Sequence, residues 1–290
     1  MQALPRVAAI ADLSGFGKCA LTVALPILSA AGVEVCALPT AVLSSHTGDL
    51  QGYTYRDLTE DMPAIAAHWA SLGLTFDAIY TGFLGSGAQL AIVLDFLRRF
   101  RRAGTLVLVD PVMGDHGKVY QTYTPEMVAG MGALCAQADL ITPNLTEASL
   151  LLGIPYRESI HDAADIRALC TALHALGPTQ VVVTGISISP NEIGAAAYDA
   201  RTDTVSVYGM PHISGIWYGT GDIFGSVLLG ALLAQKSLAD ASRMAVHFTY
   251  DCIARTHTRG TDPRFGVDFE HGLPELIQML QLPTSMHEIC

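Results

Sequence analysis

Short, predominantly apolar runs alternate with longer segments of helical periodicity along most of this chain, and this alternation limits the folds open to it. Runs typical of strands occupy 6–12, 33–38, 76–83, 105–110, 139–142 and 179–184. Apolar runs of this length indicate strands buried on both faces, as in a parallel sheet covered by helices. The alternation therefore predicts an α/β protein with three layers, α/β/α, whose central sheet is mainly parallel and linked by right-handed crossovers.

Helical spacing of apolar residues predicts the elements between and after these strands. The predicted helices cover 19–31, 57–72, 86–103, 125–138, 143–152, 162–176, 221–234, 237–256 and 270–280. A hairpin is predicted from 194–198 and 204–207, and Pro39 is expected to end the second strand because it lacks an N–H donor. We expect one domain over residues 1–290, with 283–290 as a tail.

Composition excludes several classes of function. Half of the 290 residues are hydrophobic, but the apolar stretches are interrupted before the roughly 18 residues that span a bilayer, so no membrane segment is predicted. The formal net charge of -11 argues against binding nucleic acid or an anionic membrane. No secretory signal is recognisable, and the six cysteines form no CxxC pair, so we expect a cytoplasmic protein with reduced cysteines and no zinc site.

Polar residues cluster where the predicted strands end. They lie at 12–14, 40–47, 82–83, 110, 142–144 and 184, each following one strand of the predicted sheet. In open α/β sheets, ligands bind beyond the carboxyl ends of the strands. This convergence predicts a ligand site at that edge more strongly than any one motif does.

The stretch from Gly219 through Thr220 and Gly221 to Asp222 opens an apolar helix. The first N–H groups of a helix have no partner within it, so they can bind an anion. A carboxylate beside such a site suits phosphoryl transfer, in which one group holds or deprotonates the attacking hydroxyl. The alternative is a glycine loop followed by an acid that interacts favourably with the helix dipole.

Three motifs in this order identify a family resemblance. They are Asp-Pro-Val-Met-Gly-Asp at 110–115, Thr-Pro-Asn-Leu-Thr-Glu at 142–147 and Gly-Thr-Gly-Asp at 219–222. Together they resemble the ribokinase-like superfamily. The stretches Asp-Leu-Ser-Gly-Phe-Gly-Lys-Cys at 12–19 and Thr-Ala-Val-Leu-Ser-Ser-His-Thr at 40–47 are similar to those of its pyridoxal kinase branch, including pyridoxamine kinases. The resemblance extends from residue 6 to about residue 282 and implies a homodimer.

The resemblance implies that Asp222 is the catalytic base for a hydroxymethyl group, with Gly219, Thr220 and Gly221 forming the anion hole. It places four residues around the substrate ring: Ser14, Thr40, His46 and Phe83. It places five residues around ATP: Asp110, Tyr123, Asn144, Glu147 and Thr184. Tyr123 would approach the phosphates from a lid at 113–124, and Asp110 and Glu147 would hold Mg²⁺.

Several of these residues have structural alternatives. Asn144 and Glu147 also read as a capping pair, Ser14 as a turn residue and His46 as an ordinary core or surface histidine. Asp110 could simply end its strand, and Tyr120 and Tyr123 could be ordinary lid surface. Lys18 is not a Walker lysine, because the spacing around it does not fit that loop. The basic cluster at 98–102 reads as a solvated face that complements the helix dipole.

The resemblance implies ATP- and Mg²⁺-dependent phosphorylation of the 5'-hydroxymethyl group of pyridoxal, pyridoxamine or pyridoxine, giving the 5'-phosphate in salvage. Many pyridoxal kinases have a tyrosine where this chain has Phe83, which leaves the preferred vitamer open. Hydroxymethylpyrimidine kinases, which act on a similar hydroxymethyl heterocycle, are the alternative. A noncatalytic binding protein is a third possibility, although it would have no need of the Asp222 base.

Overall fold

A computed structural model describes residues 4–120, 123–160 and 162–280. Its strands are β1 (Arg6–Ser14), β2 (Glu34–Leu43), β3 (Tyr55–Asp57), β4 (Ala78–Thr81), β5 (Leu106–Val109), β6 (Gly114–Asp115), β7 (Lys118–Val119), β8 (Leu140–Ile141), β9 (Gln180–Ser189), β10 (Glu192–Asp199) and β11 (Thr204–Pro211). Its α-helices are α1 (Leu21–Ala30), α2 (Met62–Ser71), α3 (Gly87–Phe100), α4 (Pro125–Cys135), α5 (Leu145–Leu152), α6 (Ala163–His174), α7 (Thr220–Leu233), α8 (Leu238–Arg259) and α9 (Leu273–Leu280). Short 3₁₀ turns at Pro263–Phe265 and Glu270–Gly272 connect α8 to α9.

Nine strands form one sheet in the order β11-β10-β9-β8-β5-β4-β1-β2-β3, while β6 and β7 form a separate small hairpin. The six strands from β9 to β2 in this order are parallel. The antiparallel pairs lie at the two edges, where β3 joins β2 and the β10–β11 hairpin joins β9. The predicted fold class is confirmed: three α/β/α layers around a mainly parallel sheet, with the ribokinase-like architecture.

Helices cover both faces of the sheet because both faces are apolar. One core cluster joins the sheet to α2, α3, α4, α5 and α6, and centres on buried residues such as Ile79, Phe96 and Met131. The opposite cluster joins it to α1, α7, α8 and α9, around Val23, Leu228 and Phe248. The strand ends are thus held rigidly between two helical layers.

The end of β2 corrects the prediction that Pro39 stops this strand. Pro39 lies within β2, opposite Ala11 of β1, and β3 pairs with β2 only from Ala41 onward. A proline is tolerated there because β3 does not yet pair with β2 at this position. The missing N–H therefore costs no hydrogen bond within the sheet. The register with β1 shifts between Ala11 and Leu13, which places a bulge beside Thr40. Bulges often re-aim side chains next to active sites.

Other differences concern element bounds. β1 runs on to Ser14 and β9 to Ser189, because neighbouring strands continue to pair with them. The segment predicted to start α2 at residue 57 instead ends β3, and α2 begins at Met62. The tail predicted at 283–290 lies outside the described residues, as does Cys290, and the other five cysteines are free.

The basic cluster at the end of α3 is a solvated face, as predicted. Arg98 and Arg99 both pair with Asp95 on the same helix. Arg101 binds Asp139 at the start of β8. These arginines therefore stabilise the surface between α3 and the sheet.

Candidate active site

The start of α7 has the geometry of an anion hole. Gly219 precedes the helix with a left-handed backbone, φ 79°, and no side chain caps the helix there. The first intrahelical bond of this turn runs from the N–H of Ile223 to the carbonyl of Gly219, so the N–H groups of residues 220–222 precede the bonded ladder. The Thr220 hydroxyl donates to the carbonyl of Trp217 and so turns away from these N–H groups.

Asp222 stands in the first turn of this helix and is partly buried. Burial raises the pKa of its carboxyl to about 7, and the charge of Asp12 adds to the rise, whereas a hydrogen bond from the Ala20 backbone opposes it. A carboxyl with a pKa near neutrality can both lose and accept a proton under ordinary conditions. The alternative reading, an acid that only complements the helix dipole, predicts a lowered pKa instead.

Asp110 and Glu147 form a buried acidic pair beside Asp222. They are 7% and 4% exposed. Burial raises both pKa values well above the ordinary range, followed for Asp110 by the charge of Asp222 and for Glu147 by that of Asp110. Within the part of the chain that the structure describes, no Lys or Arg pairs with any of the three. The site has an excess of negative charge that a cation would relieve.

Asn144 and Glu147 form a capping box at the start of α5, as their alternative reading predicted. Each Glu147 oxygen also accepts one backbone N–H, from Asn144 at 2.9 Å and from Met113 at 3.1 Å. The Asn144 amide donates to the carbonyl of Gly114 at 2.9 Å, and the N–H of Gly117 donates to the Thr146 hydroxyl. The box therefore fixes the 113–117 segment over the acidic pair as well as capping the helix.

The acidic pair suits Mg²⁺ in the way that this ion is usually bound. Mg²⁺ keeps several waters and takes one or two carboxylates together with substrate phosphates. No cluster of three or more His, Cys, Asp or Glu with metal-binding geometry occurs within the described ranges. Asp110 and Glu147 provide two carboxylates close to the anion hole. Binding of Mg²⁺ by one or two carboxylates together with phosphates requires this set of protein ligands.

Two of the predicted ring residues meet at the ends of β2 and β4. Thr40 is buried, and its hydroxyl donates to the carbonyl of Phe83 at 3.2 Å. Gln89, which the sequence analysis did not single out, holds both strand ends through the carbonyl of Thr40 at 2.9 Å and the N–H of Gly85 at 2.7 Å. A third predicted ring residue, Ser14, donates a hydrogen bond of 2.7 Å from its hydroxyl to the Asp12 carboxylate, and both residues lie on β1.

His46 bridges segments that are far apart in the sequence. Its Nδ1 accepts from the N–H of Gly48 at 3.0 Å, so the proton is on Nε2, which donates to the carbonyl of Arg264 at 2.7 Å. Its ring stacks on Tyr218, with centroids 5.1 Å apart, and leaves no room for a Cβ at Gly17. With both nitrogens bonded to backbone, His46 can shape a ring pocket but has no nitrogen free to bind a ligand.

The two tyrosines of the predicted lid segment differ in burial. Tyr123, expected to approach the phosphates, is 7% exposed and packs edge-on against Phe83 in the core. Tyr120 is exposed, and its pKa is raised by burial of part of the ring and then by the charges of Glu147, Asp115, Asp110 and Asp222. The pKa of Tyr123 is likewise raised, first by burial and then by the charges of Glu147 and Asp110, while a backbone hydrogen bond at Leu84 opposes the rise.

Thr184 is the remaining predicted position, and Lys18 lies on the loop after β1. Thr184 is partly buried on β9, and its N–H donates to the carbonyl of Pro143, one residue before Asn144. Lys18 pairs with Glu270 at 2.8 Å and lies over the ring of Phe269, so these contacts already engage its ammonium group. Thr184 therefore adjoins the start of α5.

The fold and this site define a class: the chain is an ATP-dependent kinase with the ribokinase-like fold. It belongs to the phosphomethylpyrimidine kinase family, whose profile matches residues 25–264. This match covers the strand ends from β2 to β9 and the α7 anion hole, while the end of β1 lies before it.

Relatives in this family act on two kinds of ring. The pyridoxine/pyridoxal/pyridoxamine kinase of Bordetella bronchiseptica is 31% identical over 256 residues, 84% of this chain and 87% of its own. The hydroxymethylpyrimidine/phosphomethylpyrimidine kinase of Mycobacterium tuberculosis is 29% identical over 263 residues, 88% of this chain and 90% of its own. A phosphomethylpyrimidine kinase-type protein of Bacteroides thetaiotaomicron, crystallised with pyridoxal, is 39% identical with a TM-score of 0.90, over 98% of each chain.

Proposed function

We propose that this kinase transfers the γ-phosphoryl group of ATP to the 5'-hydroxymethyl group of a vitamin B6 vitamer, pyridoxal, pyridoxamine or pyridoxine, in salvage of the 5'-phosphate. The observation that carries the chemistry is Asp222, a carboxyl with a pKa of about 7 in the first turn of an uncapped helix. The choice of ring is supported by the relatives named for B6 vitamers and by the similar protein crystallised with pyridoxal.

In this proposal, Asp222 accepts the proton of the hydroxymethyl group as its oxygen attacks the γ-phosphorus. The N–H groups of Thr220, Gly221 and Asp222 stabilise the charge that develops on the phosphate oxygens, because they are fixed in place before the reaction. Asp110 and Glu147 would hold Mg²⁺, which neutralises charge on the phosphates when it is bound. Asn144 and Thr184 would line the nucleotide side.

On the substrate side, Thr40, Phe83 and Ser14 would line the ring pocket, with His46 holding its wall. The ring of Phe83 supplies an apolar edge without a phenol hydroxyl. We therefore expect the vitamers to be distinguished mainly by their 4'-substituent and not by a hydrogen bond to this residue.

A pyrimidine substrate is the second candidate, since a relative of nearly equal identity is named for hydroxymethylpyrimidine. Turnover of ATP with pyridoxal, pyridoxamine, pyridoxine and hydroxymethylpyrimidine, assayed in parallel, separates the two. We expect the highest kcat/KM with a B6 vitamer. Turnover of hydroxymethylpyrimidine alone would refute the proposed function.

Metal dependence tests the role of the acidic pair. Excess chelator is expected to abolish turnover, and added Mg²⁺ to restore it, because the phosphate charge must be neutralised for transfer. Asp110→Asn should raise the Mg²⁺ concentration needed for half-maximal rate, whereas Asp95→Asn, an exposed acid on α3, should leave it unchanged. Full activity in excess chelator would contradict this assignment.

Two further predictions concern the cellular form of the protein. Within the described ranges, no helix is long and apolar enough to cross a membrane. We propose a cytoplasmic enzyme that forms a homodimer; measurement of the molar mass in solution tests the second point.

A further inference from the structure

One buried carboxylate has no role in the proposed chemistry. Asp12, at the carboxyl end of β1, is 7% exposed, and it accepts a hydrogen bond of 2.7 Å from the hydroxyl of Ser14, itself 1% exposed. No Lys or Arg in the described part of the chain forms an ion pair with it. Burying an acid without a cation costs free energy, so the position needs an explanation.

The hydrogen bond fixes the polarity of Ser14. Burial raises the pKa of Asp12, and the hydrogen bond from Ser14 opposes that rise. In its ionised form the carboxylate has no proton to give, so the single hydroxyl proton of Ser14 is directed at Asp12. The lone pairs of the Ser14 oxygen are then available only to accept. Toward any neighbouring group, Ser14 is therefore an acceptor and not a donor.

Cys19 shows that this pair adjoins Asp222. The pKa of the Cys19 thiol is raised first by burial and then by the charges of Asp222 and Asp12, while Ser14 opposes the rise. The backbone of Cys19 lies against the start of α7, because a Cβ at Gly219 would be 3.8 Å from the Cys19 Cα.

The field around Asp12 is negative. The titratable groups that act on it or feel its charge are His46, Cys19, Tyr55 and Asp222. The imidazole of His46 has both nitrogens bonded to backbone, and the other three groups are neutral or negative in every protonation state. A ligand that brings positive charge to Ser14 is favoured there.

We propose that Asp12 is a positioning residue that makes Ser14 a hydrogen-bond acceptor, so that the site selects a heteroaromatic ring whose nitrogen carries a proton. The inference rests on the proposed function, since it requires the ring beside Asp222. The 3-hydroxypyridine ring of a B6 vitamer meets the requirement, because its phenolic proton can move to the ring nitrogen and give a zwitterion. The ring nitrogens of a neutral aminopyrimidine are acceptors and do not meet it.

The test is an absorption titration of pyridoxine bound to the enzyme without ATP. The N-protonated 3-hydroxypyridine has its own long-wavelength band, so the protonation state of the bound ring is read directly. In the wild type, we expect bound pyridoxine to keep this band up to a pH at least about one unit higher than free pyridoxine does. In Asp12→Asn, which keeps an oxygen to accept from Ser14 but loses the charge, we expect that shift to vanish and the Kd to rise about 10–100-fold, with kcat within about 3-fold.

The matched control is Asp57→Asn, since Asp57 is exposed on the neighbouring strand β3 and accepts a backbone N–H from Thr59 that asparagine can also accept. It should leave the titration and the Kd unchanged. If Asp12→Asn does not fold, Ser14→Ala should show the same loss of shift.

Bound pyridoxine that titrates like the free compound would overturn the inference, and so would a shift that survives Asp12→Asn. If vitamers are phosphorylated and either result is found, the inference fails while the proposed function stands. If no vitamer binds or turns over, both fail.

Discussion

Replacing Asp222 with asparagine is expected to lower kcat about 10²–10⁴-fold while the Kd for nucleotide stays within about 3-fold. The amide cannot accept the proton of the attacking hydroxymethyl group, whereas it has nearly the shape of the carboxyl. Initial-rate kinetics and nucleotide titration measure the two effects. The wild-type kcat/KM should fall about tenfold per pH unit below about 7, because Asp222 must lose its proton to act as a base.

The same substitution should stabilise the folded protein at high pH. The folded pKa of Asp222, about 7, is above its ordinary value of 3.8, so the folded state binds this proton more tightly than the unfolded chain does. The ionised carboxylate therefore lowers the free energy of unfolding, starting above the ordinary pKa and in full above pH 7. Asp222→Asn should raise the Tm at pH 8 and change it little at pH 4, whereas a variant inactive through misfolding would have a lower Tm.

Glu126→Gln is the matched control for Asp222→Asn. Glu126 also stands in the first turn of a helix, α4, but is exposed, and its pKa is lowered by a backbone hydrogen bond and by Thr124. Removing its charge tests the helix-dipole contribution alone, and kcat should be unchanged. Near-normal kcat in Asp222→Asn would refute its assignment as the base.

Local patterns explain which parts of the site could be predicted from the sequence. The capping box of Asn144 and Glu147 needs only residues three apart, and the uncapped start of α7 needs only the Gly-Thr-Gly-Asp stretch. The order of strands and helices followed from apolar periodicity in the same way. Features that depend on a few neighbouring residues are visible without a fold.

Contacts between distant segments were not predictable. His46 is bonded to Arg264, 218 residues away, and this pairing decides that its nitrogens are not free. Tyr123 is buried because Phe83 lies beside it, and nothing in the local sequence distinguishes it from the more exposed Tyr120. Asp12 was predicted only as one of the polar residues after the first strand, although its place two residues before Ser14 put both side chains on one face of β1.

Gly219→Ala is expected to damage stability and catalysis together. A Cβ at Gly219 would lie 2.0 Å from the carbonyl oxygen of Lys18, and the backbone φ of +79° is unfavourable for alanine. This clash is relieved only if residues 17–20 move. Movement is unfavourable because Lys18 and Ala20 already have positive φ angles and the Ala20 backbone is hydrogen-bonded to Asp222. Left-handed backbone and overpacking together cost about 2–5 kcal/mol, which thermal or urea unfolding would measure.

The catalytic loss in Gly219→Ala should be about 10²–10³-fold in kcat, because displacing the first turn of α7 misaligns N–H donors that must be in place before transfer. Gly221→Ala is the control for stability: nothing lies within 4 Å of a Cβ there and its φ is not positive, so the Tm should be unchanged or slightly higher. If Gly219→Ala melts at the wild-type temperature and keeps wild-type kcat, the close approach of Gly219 to Lys18 does not hold the anion hole. A lowered Tm together with wild-type kcat, measured at a temperature where the variant is folded, would separate the two roles. It would show that the helix itself positions the N–H groups of residues 220–222, and that the contact between Gly219 and Lys18 does not.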